Sequence, residues 1–269
     1  MPVFSGLRAR LLWLVLLAVL PALALILYQG HRSGQIAARQ ALDRAEQLVN
    51  LASTDFGHIV EETRALLSRL PVHYATRLQD PRGCSTLLAD LKNVREYYVN
   101  LGVVAPNGDL LCAARPADRR VNFSDRLWFR RAVEERRFVI GEYIVGRIAR
   151  KPIVTLALPH YAAGGRLEAV YFATFDLTWF NRIPARARLP EGSTIVVLDS
   201  QGTVLSRYPE HEHWLGKRYD TPITRFILAN PDAGRVEAED VDGVPRLYAY
   251  APLVERAPGA SPFIAVGIP

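Results

Sequence analysis

The sequence predicts an α+β protein: an N-terminal transmembrane helix, a long helix, and then two antiparallel-sheet modules in tandem. Three observations carry this. Leu11–Tyr28 is a run of eighteen residues without a charge. Behind it, residues 32–70 contain no proline and carry an apolar stripe at helical spacing. From Tyr97 the hydrophobic period changes, and one order of elements occurs twice.

Composition bounds the class. The chain has 269 residues, 22% of them charged and 49% hydrophobic, so it is neither disordered nor wholly membrane-embedded. A net charge of +6 invites a nucleic-acid reading, but the N-terminus argues against it, and no nucleic-acid partner is expected. As a helix, Leu11–Tyr28 spans roughly 27 Å, close to one bilayer core. Arg8 and Arg10 hold its start in the cytoplasm, with His31, Arg32 and Arg39 weakening that bias. Ala22-Leu23-Ala24 has the form of a signal-peptidase site, yet the apolar run continues beyond it. Either reading places residue 32 onward outside the cytoplasm. There Cys84 and Cys112 are expected to form a disulfide, worth roughly 3–4 kcal/mol on the chain-entropy model; two buried thiols are the alternative.

The stripe Leu42, Ala45, Val49, Ala52, Phe56, Ile59, Thr63, Leu66 and Leu70 alternates three- and four-residue steps, the seam of one long helix. It pairs with a second copy or lies along the domain that follows. Pro71 ends or kinks it, and shorter helices are expected over Pro71–Gln79 and Ser85–Arg95. Val99–Val104 and Asp109–Ala113 flank Pro106-Asn107-Gly108, a hairpin signal. A helix from Asp125 to about Arg136 follows, then strands Phe138–Val145, Ile153–Tyr161 and Leu167–Asp176. The order then returns: a hairpin from Thr194–Leu198 and Thr203–Arg207, a helix Thr221–Ala229, and strands from Val236, over Pro245–Pro252 and over Phe263–Ile268. Gly202 follows Gly108 at the same offset, within one residue, that Pro245 keeps from Pro152. The last strand stops at Pro269, short of the counterpart of Asp176, so the chain is read as a fragment of a longer receptor.

Asn122–Tyr143 is the stretch in which a site is expected. Ser124 and Asp125 are good helix N-caps. Arg126 and Trp128 would then sit in the first turn, where a guanidinium, an indole and free backbone N–H groups suit a small anion. The alternative is a core filled by Trp128 and Phe129 with Arg126 solvated. Glu210-His211-Glu212-His213 could hold a metal only on a bent backbone and reads as a solvated loop. Arg147, Arg150 and Lys151 read as a solvated basic edge. No metal or cofactor is expected, and no nucleophile–base constellation is evident.

The order of elements, Tyr98-Val99-Asn100-Leu101-Gly102-Val103-Val104 running into Asn107-Gly108, Asp125-Arg126-Leu127-Trp128-Phe129, and Phe175-Asp176-Leu177 together resemble bacterial double Cache sensor domains over residues 32–269. The resemblance implies PAS-like modules, with the ligand in the membrane-distal one. It divides the chain into 1–31 (cytoplasmic tip and transmembrane helix), 32–96 (long helix and helical cap), 97–183 (distal, ligand-binding module) and 184–269 (proximal module, truncated). Against the amino-acid-binding branch, Arg126, Trp128, Tyr143 and Asp176 fit the binding positions. Phe129 replaces a tyrosine there, and Val121 stands where another tyrosine is frequent. Arg126 would clamp a carboxylate and Asp176 accept from an ammonium, while Trp128, Phe129 and Tyr143 would wall the pocket. The helical stripe suggests a homodimer, and the resemblance implies a non-enzymatic sensor region at the bacterial inner membrane, with residues 32–269 extracytoplasmic. It would bind an amino acid or organic acid and signal to a histidine kinase or diguanylate cyclase domain. An anchored periplasmic hydrolase and a ligand-free spacer are the alternatives.

Overall fold

A computed structural model describes residues 7–73, 80–117, 119–183, 189–254 and 261–269; before Gln40 it describes the side chains of Trp13, Leu16, Leu17, Val19 and Leu20 alone. The chain forms two compact units, Met1–Arg44 and Ala45–Pro269. Helix α1 runs over Leu7–His73. Among the described residues no helix is long and apolar enough to cross a membrane. The expected span Leu11–Tyr28 lies in α1, but most of its side chains lie outside the described residues, as do positions 74–79 of the expected Pro71–Gln79 helix.

The seam of α1 differs from the expected stripe at its ends. Ala45, Val49, Ala52, Phe56, Ile59, Val60, Thr63, Leu67 and Leu70 are buried. Leu67, not Leu66, carries the last turn but one, because a straight helix of 3.6 residues per turn drifts from a strict heptad. Within the second unit this face packs on the sheets. Phe56 meets Phe175 edge-on, ring centroids 5.3 Å apart, and Phe180 at 5.5 Å. The Thr63 and Tyr98 hydroxyls share a buried hydrogen bond of 2.8 Å. Helix α2, Pro81–Asn93, starts four residues before the expected Ser85. Asp80 caps it by accepting from the backbone N–H of Gly83 at 2.8 Å, and Pro81 sits at its first position.

The first sheet has strands β1 (Tyr98–Val104), β2 (Leu110–Ala113), β3 (Val139–Ile140), β4 (Ile144–Val145), β5 (Pro152–Tyr161) and β6 (Leu167–Asp176). They run in the order β2-β1-β6-β5-β3, with β4 also on β5, all antiparallel. The expected single strand Phe138–Val145 is broken at Gly141–Tyr143. Helix α3, Leu127–Glu135, lies on the face away from α1, over an aromatic core that includes Phe123, Trp128, Phe129 and Phe172. A 3₁₀ turn, Leu177–Asn181, follows β6.

The second sheet repeats the pattern. β7 (Thr194–Leu198), β8 (Val204–Tyr208), β9 (Gly234–Glu239), β10 (Pro245–Pro252) and β11 (Phe263–Ile268) run β8-β7-β11-β10-β9. The first hairpin pairs with the last strand in both sheets, so the duplicated element order of the sequence is a duplicated topology. Helices α4 (His211–Trp214) and α5 (Pro222–Ala229, capped by Thr221) belong to this part. Under α5, Tyr219 and Tyr248 are almost fully buried with Ile223 and Ile227.

Cys84 of α2 and Cys112 of β2 form the expected disulfide, Cα atoms 6.1 Å apart. It ties the helical cap to the sheet edge across 28 residues. Reduction, or a Cys84→Ser/Cys112→Ser double variant, is expected to lower unfolding stability by about 3–4 kcal/mol, read as a lower denaturant midpoint than that of the oxidised protein.

Candidate functional site

Helix α3 begins differently from expectation. Arg126 is itself the N-cap residue, with φ −76° and ψ 132°, and no side chain caps the helix. Ser124 and Asp125 are committed elsewhere: the Ser124 hydroxyl donates to Asn122 Oδ1 at 2.6 Å, and the Asp125 carboxylate is held by Arg147. Arg147 donates through Nη1 at 2.8 Å and Nη2 at 2.5 Å, a two-pronged pair.

The N-terminus of α3 faces a cavity of about 20 Å³, room for about one water. Arg126 and Trp128 line it from the helix, Asn100, Thr155, Phe172 and Thr174 from the sheet, and residues 146–149 from the turn after β4. Among the described residues five buried side-chain polar atoms lack a hydrogen-bond partner, and two are Arg126 Nε and Trp128 Nε1. Both unsatisfied cavity groups are donors, and each buried donor without an acceptor costs about 1–3 kcal/mol. Burial, with the nearby Arg147 charge, holds the Arg126 guanidinium below the ordinary arginine value, against Asp125 and Glu142. Glu142 Oε2 is a third such atom; burial and the Asp199 charge raise that carboxyl, against its own backbone, Arg131 and Arg126.

The five expected site residues separate here. Arg126 and Trp128 line the cavity. Phe129 stands behind Trp128 in the core, ring centroids 6.0 Å apart and nearly perpendicular. Tyr143 is not among the lining residues. Its backbone N–H donates to Asp199 Oδ2 of the second sheet's hairpin at 3.0 Å, and its ring lies against Gly216, leaving no space there for a Cβ. Asp176 ends β6, one step beyond Thr174 on the same face. It accepts from Thr178 N–H at 3.0 Å and the Thr178 hydroxyl at 2.8 Å, capping the 3₁₀ turn, and from Lys151 Nζ at 2.5 Å. Burial raises its carboxyl, but the Lys151 and Thr178 hydrogen bonds outweigh that and leave it below the ordinary aspartate value.

Sequence reasoning missed Asn100, Thr155 and Thr174. The strand alternation that places them was legible; the register that lines them up, Asn100 and Thr155 both opposite Thr174, was not. It also read Arg147 and Lys151 as a solvated edge, whereas they hold Asp125 and Asp176. Glu210 to His213 enter helix α4, and among the described residues no group of three or more ligating side chains could hold a metal.

A larger cleft, about 610 Å³, lies on the second sheet between Arg207, Trp214, Asp242 and Arg246. Volume favours it; chemistry does not. Buried Asp240 accepts from both arginines, and Arg246 forks onto Asp242 at 2.7 and 2.6 Å. Arg207 Nε donates to the Tyr219 hydroxyl at 3.0 Å and its Nη1 to Pro209 O at 2.8 Å. These groups satisfy one another, while those at Arg126 and Trp128 do not.

Comparison with known proteins gives concordant results. A family model described as a Cache domain matches residues 33–258. Sporulation kinase D of Bacillus subtilis (strain 168) is 23% identical over 157 residues, which are 58% of this chain and 31% of the kinase, so the match spans under a third of that relative. Among solved structures, the extracellular domain of rpHK1S-Z16, assigned as a histidine kinase, superposes with a TM-score of 0.68 at 18% identity, covering 88% of this chain and 95% of that one. The ligand-binding domain of the Pseudomonas aeruginosa PAO1 amino acid chemoreceptor PctB, in complex with L-Arg, gives 0.64 at 16%, covering 84% and 94%. At these identities the structures speak for the fold.

Gly141 sets the position of the Trp128 wall. A Cβ added there would lie 2.9 Å from Trp128 Cβ and 3.0 Å from Thr155 O. Gly141→Ala is therefore expected to cost about 1–3 kcal/mol through overpacking, seen as a lower unfolding midpoint.

Proposed function

The chain belongs to the Cache domain family, and from that premise we propose that it is the extracytoplasmic sensor region of a bacterial transmembrane receptor. Its ligand is a small carboxylate-bearing molecule, taken at the first sheet, which forms the membrane-distal module; the second sheet forms the proximal one. One observation carries this reading: two buried donors without acceptors, Arg126 Nε and Trp128 Nε1, on one cavity at the uncapped start of α3. A carboxylate supplies the missing acceptors and suits the positive end of the helix. The cavity has space for about one water, so the ligand widens it on entry.

The relay follows the break between β3 and β4. Gly141 lies under Trp128, and two residues on Tyr143 grips Asp199 and Gly216 of the second sheet. A ligand that moves Trp128 thereby bears on the proximal module, provided it binds the two arrangements with unequal affinity. The anchor is Leu11–Tyr28, whose described side chains, Trp13, Leu16, Leu17, Val19 and Leu20, are all about half exposed or more. The output is a histidine kinase or diguanylate cyclase domain.

The small cavity favours a second reading, a spacer whose site is filled by its own side chains. Calorimetry and thermal shift of the purified full chain against organic acids and amino acids separate the two. For a sensor, at least one carboxylate binds, and Arg126→Ala weakens it roughly 10–100-fold, the loss of a charge-assisted hydrogen bond. Arg126→Lys, which keeps charge without the fork, falls between. For a spacer, nothing binds, and Arg126→Met raises stability by removing an unsatisfied buried donor. The homodimer is proposed on the outer face of α1, where Leu51 is 50% exposed. Molar mass is expected to rise from monomer to dimer with concentration, and Leu51→Lys to oppose it.

A further inference from the structure

The carboxylates around the cavity are not free to receive a ligand's amine. Asp125 and Asp176 do not line it but adjoin residues that do: the first is next to Arg126 in the chain, and the second is one step beyond Thr174 on the same strand face. Each is closed by a cation from one short stretch of chain. Arg147 forks onto both oxygens of Asp125. Lys151 Nζ sits 2.5 Å from Asp176 Oδ2, while Thr178 takes Oδ1 twice. Among the cavity-lining residues, the buried polar atoms without partners are both donors. Resting on the reading of this cavity as the ligand site, we infer that it selects a small anion without an ammonium group, and that Lys151 is the residue that enforces the selection.

The physical reason is competition between a tethered and a free cation. Lys151 lies only two residues from Ile153, whose register partner is Asp176 itself. Its ammonium is therefore present at Asp176 at high effective concentration. A ligand ammonium must displace it and leave the Lys151 charge without its carboxylate. An amine-free carboxylate meets no such opposition. Among the described residues Glu142 is a carboxylate near Arg126 with a buried oxygen that has no hydrogen bond. Like Asp125 and Asp176 it is not among the lining residues, and it serves as the control.

Matched pairs of ligands test this: propionate against L-alanine, and succinate against L-aspartate, titrated calorimetrically into the full chain. The amine-free member of a pair is expected to bind at least 10-fold tighter. Lys151→Met keeps most of the stem, removes the charge and frees Asp176, so it should narrow or reverse that ratio; adding Asp176→Asn should restore the preference. Equal binding within the pairs, a ratio unchanged in Lys151→Met, or amino-acid binding that Glu142→Gln abolishes overturns the inference while leaving the site in place. A carboxylate that binds with unchanged affinity in Arg126→Ala, or no binding in any variant, overturns the site and the inference with it.

Discussion

A sheet buried on both faces needs a covering layer on each side, and in this protein the two layers differ in quality. All seven residues of β1 are buried, so at this strand the first sheet is covered on both faces. On one side α1 supplies a continuous apolar seam, and Phe56 locks into Phe175 and Phe180. On the other side nine-residue α3 is too short to cover the sheet. Trp128, Phe129 and Phe172 fill most of the gap. What remains is a small polar void between the start of the helix and Asn100, Thr155 and Thr174. The candidate site is thus the place where the second layer is incomplete.

Charge decides what that void can accept. The stretch between β4 and β5 carries Arg147 and Lys151, and each neutralises a carboxylate at the margin. Arg126 is left without such a partner: its Nε is buried, and its charge is opposed by its neighbour Arg147. The second sheet shows the opposite solution with the same residue type. Arg207 and Arg246 are buried too, but Asp240, Asp242 and Tyr219 satisfy them. One module holds arginines as structure and the other holds an arginine in reserve. The shared topology makes the contrast a matter of side chains alone.

Much of the fold was legible because it rests on local signals. Short strand-like runs and the repeated order of elements placed β6, β7, β10 and β11 at their observed bounds, and turn chemistry at Pro106-Asn107-Gly108 placed the first hairpin. The errors were local competitions lost. Ser124 and Asp125 are good caps in isolation, but Asn122 and Arg147 take their oxygens. The expected strand Phe138–Val145 breaks at Gly141, where close passage of Trp128 and Thr155 admits no side chain. Of the candidate site, Arg126 and Trp128 could be found because they share a helix start. Tyr143 and Asp176 have other neighbours, which no spacing reveals.

The sequence by itself determined the long helix, the two sheets in repeated order, the one pairing open to Cys84 and Cys112, and the stretch that opens onto the cavity. These follow from periodicity, from turn residues and from there being only two cysteines. The tertiary structure alone decided that Lys151 answers Asp176, that Tyr143 turns to the second module, and that the cavity keeps two unsatisfied donors. Those outcomes depend on strand register and on which charges meet across the fold. Partners 22 to 56 residues apart in the chain become neighbours only when the sheets close.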